Sequence, residues 1–381
     1  MAETGCQIKA GLYIHYPFCI SKCPYCHFYS LLYDSELHEL WLRRIQQEID
    51  SLACFLGSFL VIDTIYFGGG TPSLLRPEEL HQLISRIRQR LEVKAREITL
   101  EVNPQADPEY VPGWLEAEIT RLSIGVQSFD PYLLRTIGRS YSPEAALDLI
   151  KKSRESGAGN IGVDLMTGIP GETLESIERN FQALDQIRPE HVSVYLLEDL
   201  EETPFRKVWE ENPVSEDQVS ERYEYYRQNL EDRGWKQYEI SNYSRPGFEC
   251  RHNLKYWKYL PYIGLGPASS SHLANLRWTS AADLKKWLEV SERDLINLEE
   301  FLELSPEEEL RENLASGLRL TEGVSLEELL WRYPFFDFSF FESKLKQLME
   351  EGFLLNKGNR IMIPPGKFLV SNWIISELIF P

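Results

Sequence analysis

The chain has 381 residues, 43% of them hydrophobic and 12% aromatic, which suits a folded protein large enough for a main domain and a smaller one. Its net charge of −19, from 59 acidic against 40 basic residues, disfavours broad binding to nucleic acid or anionic membranes and leaves only a local basic patch open. No apolar stretch reaches the length of a membrane span, so at most peripheral association is left open, and the start Met1-Ala-Glu-Thr-Gly-Cys-Gln lacks the marks of a signal peptide; a cytoplasmic protein with reduced thiols is expected.

A first strand is expected over 12–16, and Cys19, Cys23 and Cys26 follow it directly in the spacing C-x-x-x-C-x-x-C. A zinc site needs four ligands and usually opens with one close pair matched by another. Three thiolates in one tight loop suit instead a [4Fe–4S] cluster with one iron left free for a substrate or cofactor. Pro17 and Pro24 stiffen the loop, and Phe18, Tyr25 and Phe28 are placed to shield a cluster from water. A zinc knuckle, or three buried thiols that happen to be close, are the bland readings of the same residues. Cys6, Cys54 and Cys250 have no mutual spacing of note and read as structural or incidental.

Strand and helix patterns then alternate. Further strands are expected over 64–67, 97–102, 121–127, 161–166 and 191–197, with helices over 34–56, 77–91, 108–118, 143–156 and 172–187. Pro77 and Pro143 stand near helix starts, and Gly157 follows a helix end. Six βα-like units with near-continuous apolar strands imply a parallel sheet covered by helices, which a doubly wound sheet and a barrel both satisfy. The residues just past the strand ends favour a partial (β/α)6 TIM-like barrel: Gly68-Gly-Gly70-Thr71, Glu101, Gln127, Gly138-Arg139, and Asp164 with Gly168-Ile-Pro-Gly171. Each alone reads as a cap, a turn or a solvated charge; their succession on one face is what points to a site. Glycine loops let a ligand approach the backbone closely. Glu101, Gln127 and Asp164 can supply acceptors for a sugar or an ammonium group, and Arg139 can pair with a carboxylate.

The tail reads as a small helical module. Ser305-Pro-Glu-Glu308 is a capping box with proline at the first helical position, opening a helix to about residue 318. Helices over 325–333 and 339–351 and a hairpin within 352–363, turned at Lys357-Gly358-Asn359, suggest a winged-helix-like arrangement. Acidic balance and the lack of a basic cluster argue against DNA binding and for a packing or partner-docking module. With a link near 297–305, the expected organisation is a core domain over 1–235, a connecting region over 236–300 and a C-terminal domain over 301–381.

Together, Cys19-x-x-x-Cys23-x-x-Cys26 after the first strand and Gly68-Gly-Gly-Thr-Pro72 after the second resemble the radical S-adenosylmethionine (SAM) superfamily. That resemblance implies a cluster whose open iron is chelated by SAM and reductive cleavage of SAM to a 5′-deoxyadenosyl radical. A closer resemblance, to the oxygen-independent coproporphyrinogen III oxidase family, runs along nearly the whole chain: Tyr13-Ile-His-x-Pro-Phe-Cys19, F-G-G-G-T-P-S-L-L, L-S-I-G-V-Q-S-F, D-L-M-x-G-I-P-G-E-T and Y-E-I-S-N-Y. By position in those motifs it implies cluster ligands at Cys19, Cys23 and Cys26 and SAM contacts at Tyr13, Gly70, Thr71, Glu101, Gln127, Arg139 and Asp164.

The family has two branches. Its genuine oxidases carry a long N-terminal extension and a further cysteine, C-x-x-x-C-x-x-C-x-C; here twelve residues precede Tyr13, and Phe28 stands where that cysteine would be. Both departures resemble the heme-chaperone branch, as does Arg251-His252-Asn253-Leu-Lys-Tyr256-Trp257, similar to its H-N-x-x-Y-W motif. The branch implies binding of heme, with His252 as axial ligand and Cys250 a lesser candidate, and delivery to apo-hemoproteins. Read without the family, His252 is an ordinary hydrogen-bonded histidine. After Tyr262-Ile-Gly-Leu-Gly266, His272 stands about two places from the branch's usual histidine. The competing expectation is an enzyme that decarboxylates the propionates of coproporphyrinogen III.

Overall fold

The computed structural model describes residues 7–197, 203–289, 298–334 and 339–379. Cys6 and part of the expected connecting region, residues 290–297, lie outside them. In chain order the main body runs β1 (Ile8–Tyr16), the two-residue strands β2 (Phe18–Cys19) and β3 (Leu31–Leu32), α1 (Ser35–Leu56), β4 (Leu60–Gly69), α2 (Pro77–Arg90), β5 (Glu92–Val102), α3 (Val111–Glu116), β6 (Arg121–Gln127), α4 (Pro131–Thr136), α5 (Pro143–Glu155), β7 (Ile161–Thr167), α6 (Leu174–Ile187) and β8 (His191–Leu196). Strands β1, β4, β5, β6, β7 and β8 lie side by side in that order, all parallel. Sequential order with one hand of crossover puts every covering helix on the same side of the sheet. A doubly wound sheet would reverse its order midway; this one does not, and it curls into a partial barrel.

The sheet goes further than the six strands expected. After α7 (Arg206–Glu211), α8 (Glu216–Asp232), β9 (Lys236–Gln237), β10 (Asn242–Ser244) and α9 (Arg251–Trp257), strand β11 (Tyr262–Leu265) pairs parallel to the free edge of β1. Strands β12 (Ser270–Leu273), β13 (Leu276–Ser280) and, past α10 (Leu284–Leu288), β14 (Leu298–Glu303) add antiparallel partners beyond it, while β10 and β9 continue from β8. All twelve form one open sheet that ends at β14, a strand exposed along all six residues. Residues 236–289 and 298–303 therefore supply strands to the main sheet. Their runs of two to six residues, several polar, are too short to carry a period.

The helices form where pattern and caps agree. On α1 the buried residues Trp41, Ile45, Ile49 and Leu52 recur at helical spacing, and Asp34 accepts from the amides of Glu36 and Leu37, both at 2.9 Å. Leu80, Leu83, Ile84 and Ile87 do the same on α2. Two expected helices start differently. Residues 108–110 form a 3-10 turn before α3, because Pro112 near the start of α3 lacks the N–H that would continue a longer helix. Glu172 lies before α6 rather than in it, and its carboxylate accepts from Gly168 N (2.7 Å) and Thr167 Oγ1 (3.0 Å), closing the glycine loop.

The tail holds α11 (Pro306–Gly317), β15 (Val324–Ser325), α12 (Leu326–Arg332), α13 (Ser339–Glu350), β16 (Leu355–Lys357), β17 (Arg360–Met362) and α14 (Ser371–Ile379). The hairpin turns at Gly358-Asn359, with Gly358 at φ +67°, and β15 adds a third strand, giving four helices beside a small sheet in a winged-helix-like arrangement. Its core, including Leu310, Leu314, Leu348 and Ile374, also takes in Tyr223 of α8. No helix among the described residues is long and apolar enough to cross a membrane.

Leu83→Ala should cost about 2–5 kcal/mol, because it opens a cavity between α2 and the sheet. Ser305→Ala should cost about 1 kcal/mol, because it removes the side-chain cap that accepts from Glu308 N. Denaturant unfolding of both variants checks the ordering.

Candidate functional site

The C-terminal ends of the parallel strands surround one cavity of about 550 Å³, the size of a small-molecule site. Cys19, Cys23 and Cys26, Gly70, Thr71, Glu101, Gln127, Arg139 and Asp164 all line it. Nine of the eleven residues expected at the site thus meet around one space. Tyr13 and His252 do not.

The cysteine loop is pinned at both ends. Leu31 N donates to Pro17 O at 2.7 Å and Tyr33 N to Cys19 O at 2.8 Å, closing the loop through β2 and β3. Within it Cys26 N donates to Cys23 O at 3.0 Å. The glycine run then locks onto it: Gly70 N donates to Tyr16 O (2.7 Å) and Thr71 N to Phe18 O (2.8 Å). A Cβ on Gly70 would lie 2.7 Å from Phe18 O, and one on Gly69, at φ +112°, would meet the His15 ring at 2.7 Å. Across the cavity Gly138, at φ +74°, leaves room for the Pro24 ring. Arg139 then donates from Nε and Nη2 to the Tyr25 hydroxyl at 3.0 and 2.7 Å. Phe18 is buried and Tyr25 half-buried, but Phe28 is 60% exposed: it faces solvent at the rim and does not shield the loop.

The three thiols stand on one loop at the wall of the cavity, three soft ligands for a metal group that leaves a position open toward the cavity. Thr71 Oγ1 donates to Cys19 Sγ at 3.4 Å. Burial raises the pKa of Cys19 and Cys26, so ligation would release protons there.

Two half-buried carboxylates line the same cavity as the thiols. Glu101 at the end of β5 accepts from the Tyr66 hydroxyl at 2.8 Å and from Gly69 N at 3.1 Å. Burial pushes its pKa up to about 7 against the pull of the Tyr66 hydrogen bond, and the charge of Asp164 adds to the rise. Asp164 accepts from Ser193 Oγ at 2.6 Å and Ser123 Oγ at 3.2 Å; burial raises it, while those hydroxyls and Arg121 hold it down. Gln127 sits at φ +64° where the β6–β7 register slips, a strained backbone that aims the end of β6 at the cavity. Tyr66, Ser123 and Ser193 were not legible as site residues. They act by holding Glu101 and Asp164, and only the alternation of inward positions along a strand marks them; Tyr25, expected as a shield of the loop, also holds Arg139.

Tyr13 lies under this floor. Its hydroxyl pairs with His15 Nδ1 at 3.2 Å, its ring stands 6.0 Å from that of Tyr66, and it lines a second cavity of about 260 Å³ with Phe28, Tyr29, Tyr256 and Tyr262. His252, expected as an axial ligand, also stands apart from the cavity. It is wholly buried, with Nδ1 paired to Thr64 Oγ1 and Nε2 to the Tyr256 hydroxyl, both at 2.9 Å. Its ring packs 5.1 Å from that of Tyr66, and burial, aided by Lys255, lowers its pKa to about 3, keeping it neutral. Glu97 accepts from the amides of Arg251 (3.0 Å) and His252 (2.9 Å), so the H-N-x-x-Y-W segment starts a short helix bolted to β5. Cys250 is buried against Glu97, with its thiol pushed up to about 12 by burial, and does not reach solvent either.

Comparison with known proteins agrees with this arrangement. Residues 13–184 match the Radical SAM superfamily and residues 304–365 the HemN C-terminal domain. "Heme chaperone HemW" of Bacillus subtilis is 31% identical over 96% of this chain and 98% of its own length. The protein of that name from Escherichia coli is 35% identical over 67% of this chain and 68% of its own. A mitochondrial radical S-adenosyl methionine domain-containing protein 1 of Danio rerio is 29% identical over 84% of this chain and 74% of its own. Among solved structures, coproporphyrinogen III oxidase (HemN) from Escherichia coli superposes with a TM-score of 0.86 over 98% of this chain and 91% of its own at 19% identity, which shows a shared fold.

A radical SAM domain implies a [4Fe–4S] cluster and SAM, and the residues present fit both: three thiols on one loop, with two carboxylates and an arginine lining the same cavity. SAM affinity should rise as pH increases through about 7, because Glu101 must lose its proton to accept from a ligand ammonium. Glu101→Gln should flatten that dependence and weaken binding by about 1.5–3 kcal/mol while leaving iron content unchanged. Calorimetric titration at several pH values reads both effects.

Proposed function

Since the chain belongs to the radical SAM superfamily and, within it, to the family of the curated HemW proteins, we propose that it binds heme and delivers it to apo-hemoproteins. Likeness to those relatives over nearly its whole length carries this reading. Phe28 supports it, standing exposed and apolar where the oxidase pattern has a further cysteine. In this reading Cys19, Cys23 and Cys26 hold the cluster, and Gly70, Thr71, Glu101, Gln127, Arg139 and Asp164 hold SAM, with Tyr13 beneath them. The division into 1–235, 236–300 and 301–381 and a cytoplasmic location belong to the same proposal. The fold shared with the oxidase leaves decarboxylation of coproporphyrinogen III as the competing reading.

Bound there, the cluster would supply an electron and an open coordination site for SAM. The chain's own residues do the rest. Thr71 hydrogen-bonds Cys19 and damps its negative charge. Arg139, fixed by Tyr25, presents a guanidinium to a carboxylate. Glu101 and Asp164 accept from ammonium or hydroxyl groups, each pre-oriented by partners already in place. Phe18 closes the inner side of the loop to water.

Anaerobic reconstitution should give about four irons per chain. Substituting any of Cys19, Cys23 or Cys26 by alanine should abolish the cluster, whereas Cys54→Ala, on the outer end of α1, should not. Stoichiometric zinc in protein handled without oxygen would overturn the cluster assignment.

With SAM and a strong reductant, the chain should leave coproporphyrinogen III unconverted and yet bind heme, followed by product analysis and heme titration. Conversion to protoporphyrinogen would replace the chaperone reading by the enzymatic one.

A further inference from the structure

Binding heme through a histidine requires an imidazole nitrogen that can reach the iron from outside. Of the seven histidines, His15, His38, His191, His252 and His272 are at most 5% exposed. His15 pairs with Tyr13 and the Tyr29 carbonyl, His38 with Tyr16 and Glu79, and His252 with Thr64 and Tyr256. His191 is held by Tyr238, and His272 lies against the ring of Tyr259 at 4.3 Å. Two exposed imidazoles remain, His27 and His81.

Their surroundings differ. His81 stands on the outer face of α2, which exposes no large apolar side chain. His27 follows the third thiol directly, borders the main cavity, and stacks on Phe28 with ring centroids 4.9 Å apart and planes at 28°. Around it the same loop exposes Ile20 (66%), Phe28 (60%) and Leu32 (63%). Lys22, exposed on the loop, also borders the cavity, a cation in a chain whose net charge is −19. Phe28 borders the aromatic second cavity as well. At about 550 Å³ the main cavity has the volume of one small-molecule site, and the cluster and SAM claim it. A tetrapyrrole disc has to lie at the rim.

The geometry points to a heme site on the outside of the cysteine loop, with His27 as the axial ligand, Ile20, Phe28 and Leu32 as its apolar support, and Lys22 facing a propionate. This rests on the heme-binding reading above and relocates the ligand that the H-N-x-x-Y-W motif suggested. Coordination is a dative bond from the imidazole nitrogen to the heme iron and needs no other reactant. A ligand on an exposed rim leaves the opposite face of the heme open to a ligand from an acceptor protein, which a buried site would not.

The test is ferric heme titrated into the cluster-reconstituted chain, read by Soret absorption difference and by electron paramagnetic resonance of the heme iron. His27→Ala and His27→Gln should each weaken binding tenfold or more and lose the imidazole-ligated signature, with four irons per chain retained in the cluster. Added imidazole should restore that signature to His27→Gly, which an indirect structural effect would not allow. His81→Ala should match the unaltered protein, and so should Cys54→Ala, which removes the exposed thiol beside Phe55 and Phe59. If the unaltered chain fails to bind heme, the chaperone reading itself falls. If it binds and both His27→Ala and His27→Gln keep affinity and signature, or the loss follows His81 or Cys54, the His27 site is refuted.

Discussion

No side chain fits where the end of β4 meets β1 and the cysteine loop. Backbone and rings come within 3 Å of where a Cβ would stand at Gly68, Gly69 and Gly70, and this crowding sets the rest of the site. Through this stretch the main chain comes close enough to bind: the Gly70 amide holds β1, the Thr71 amide holds β2, and that of Gly69 holds Glu101. The loop with the three thiols is therefore placed by main-chain contacts, and the first carboxylate is placed by the same stretch. A substitution at Gly70 would disturb metal binding and ligand binding together, without touching a ligand of either.

Around that contact the barrel concentrates charge that burial makes costly. Glu97, Glu101 and Asp164 point inward from β5 and β7, and the fully buried Arg121 of β6 lies among them. Two of its nitrogens, Nε and Nη1, have no protein partner. The buried cation offsets part of that negative charge and holds Glu101 and Asp164 down against the rise that burial imposes. Hydroxyl groups from neighbouring strands then fix the direction of each oxygen. Hence the tyrosines and serines that hold these groups matter as much as the groups themselves.

The sequence was informative where one residue type has one reason to be present. Three spaced cysteines, a glycine triplet after a strand, and carboxylates at strand ends all came to one rim, and the six core strands were recognisable because burial on both faces makes them apolar throughout. Strands β11 to β13 were missed because four or five residues such as Ser270-Ser-His-Leu273 hold too few turns of any pattern. His252 misled for a different reason. A histidine among aromatic residues looks the same in sequence whether it faces a ligand or a buried threonine, and only the partners of its two nitrogens tell them apart.

The open sheet has a further consequence at its far margin. Strand β14 ends the row, and its residues Leu298, Phe301 and Leu302 are bare to solvent beside an unsatisfied ladder, the kind of edge that recruits strands from other molecules. Glu299, Glu300 and Glu303 share that strand, so a second copy approaching edge to edge brings like charges together. Repulsion between solvated charges reaches only about 8 Å in physiological salt and shortens as salt rises. Colloidal behaviour should then be governed by ionic strength more than by temperature: dilute buffer keeps the chains apart, and concentrated salt uncovers the stickiness of the margin, as light scattering against salt concentration would record.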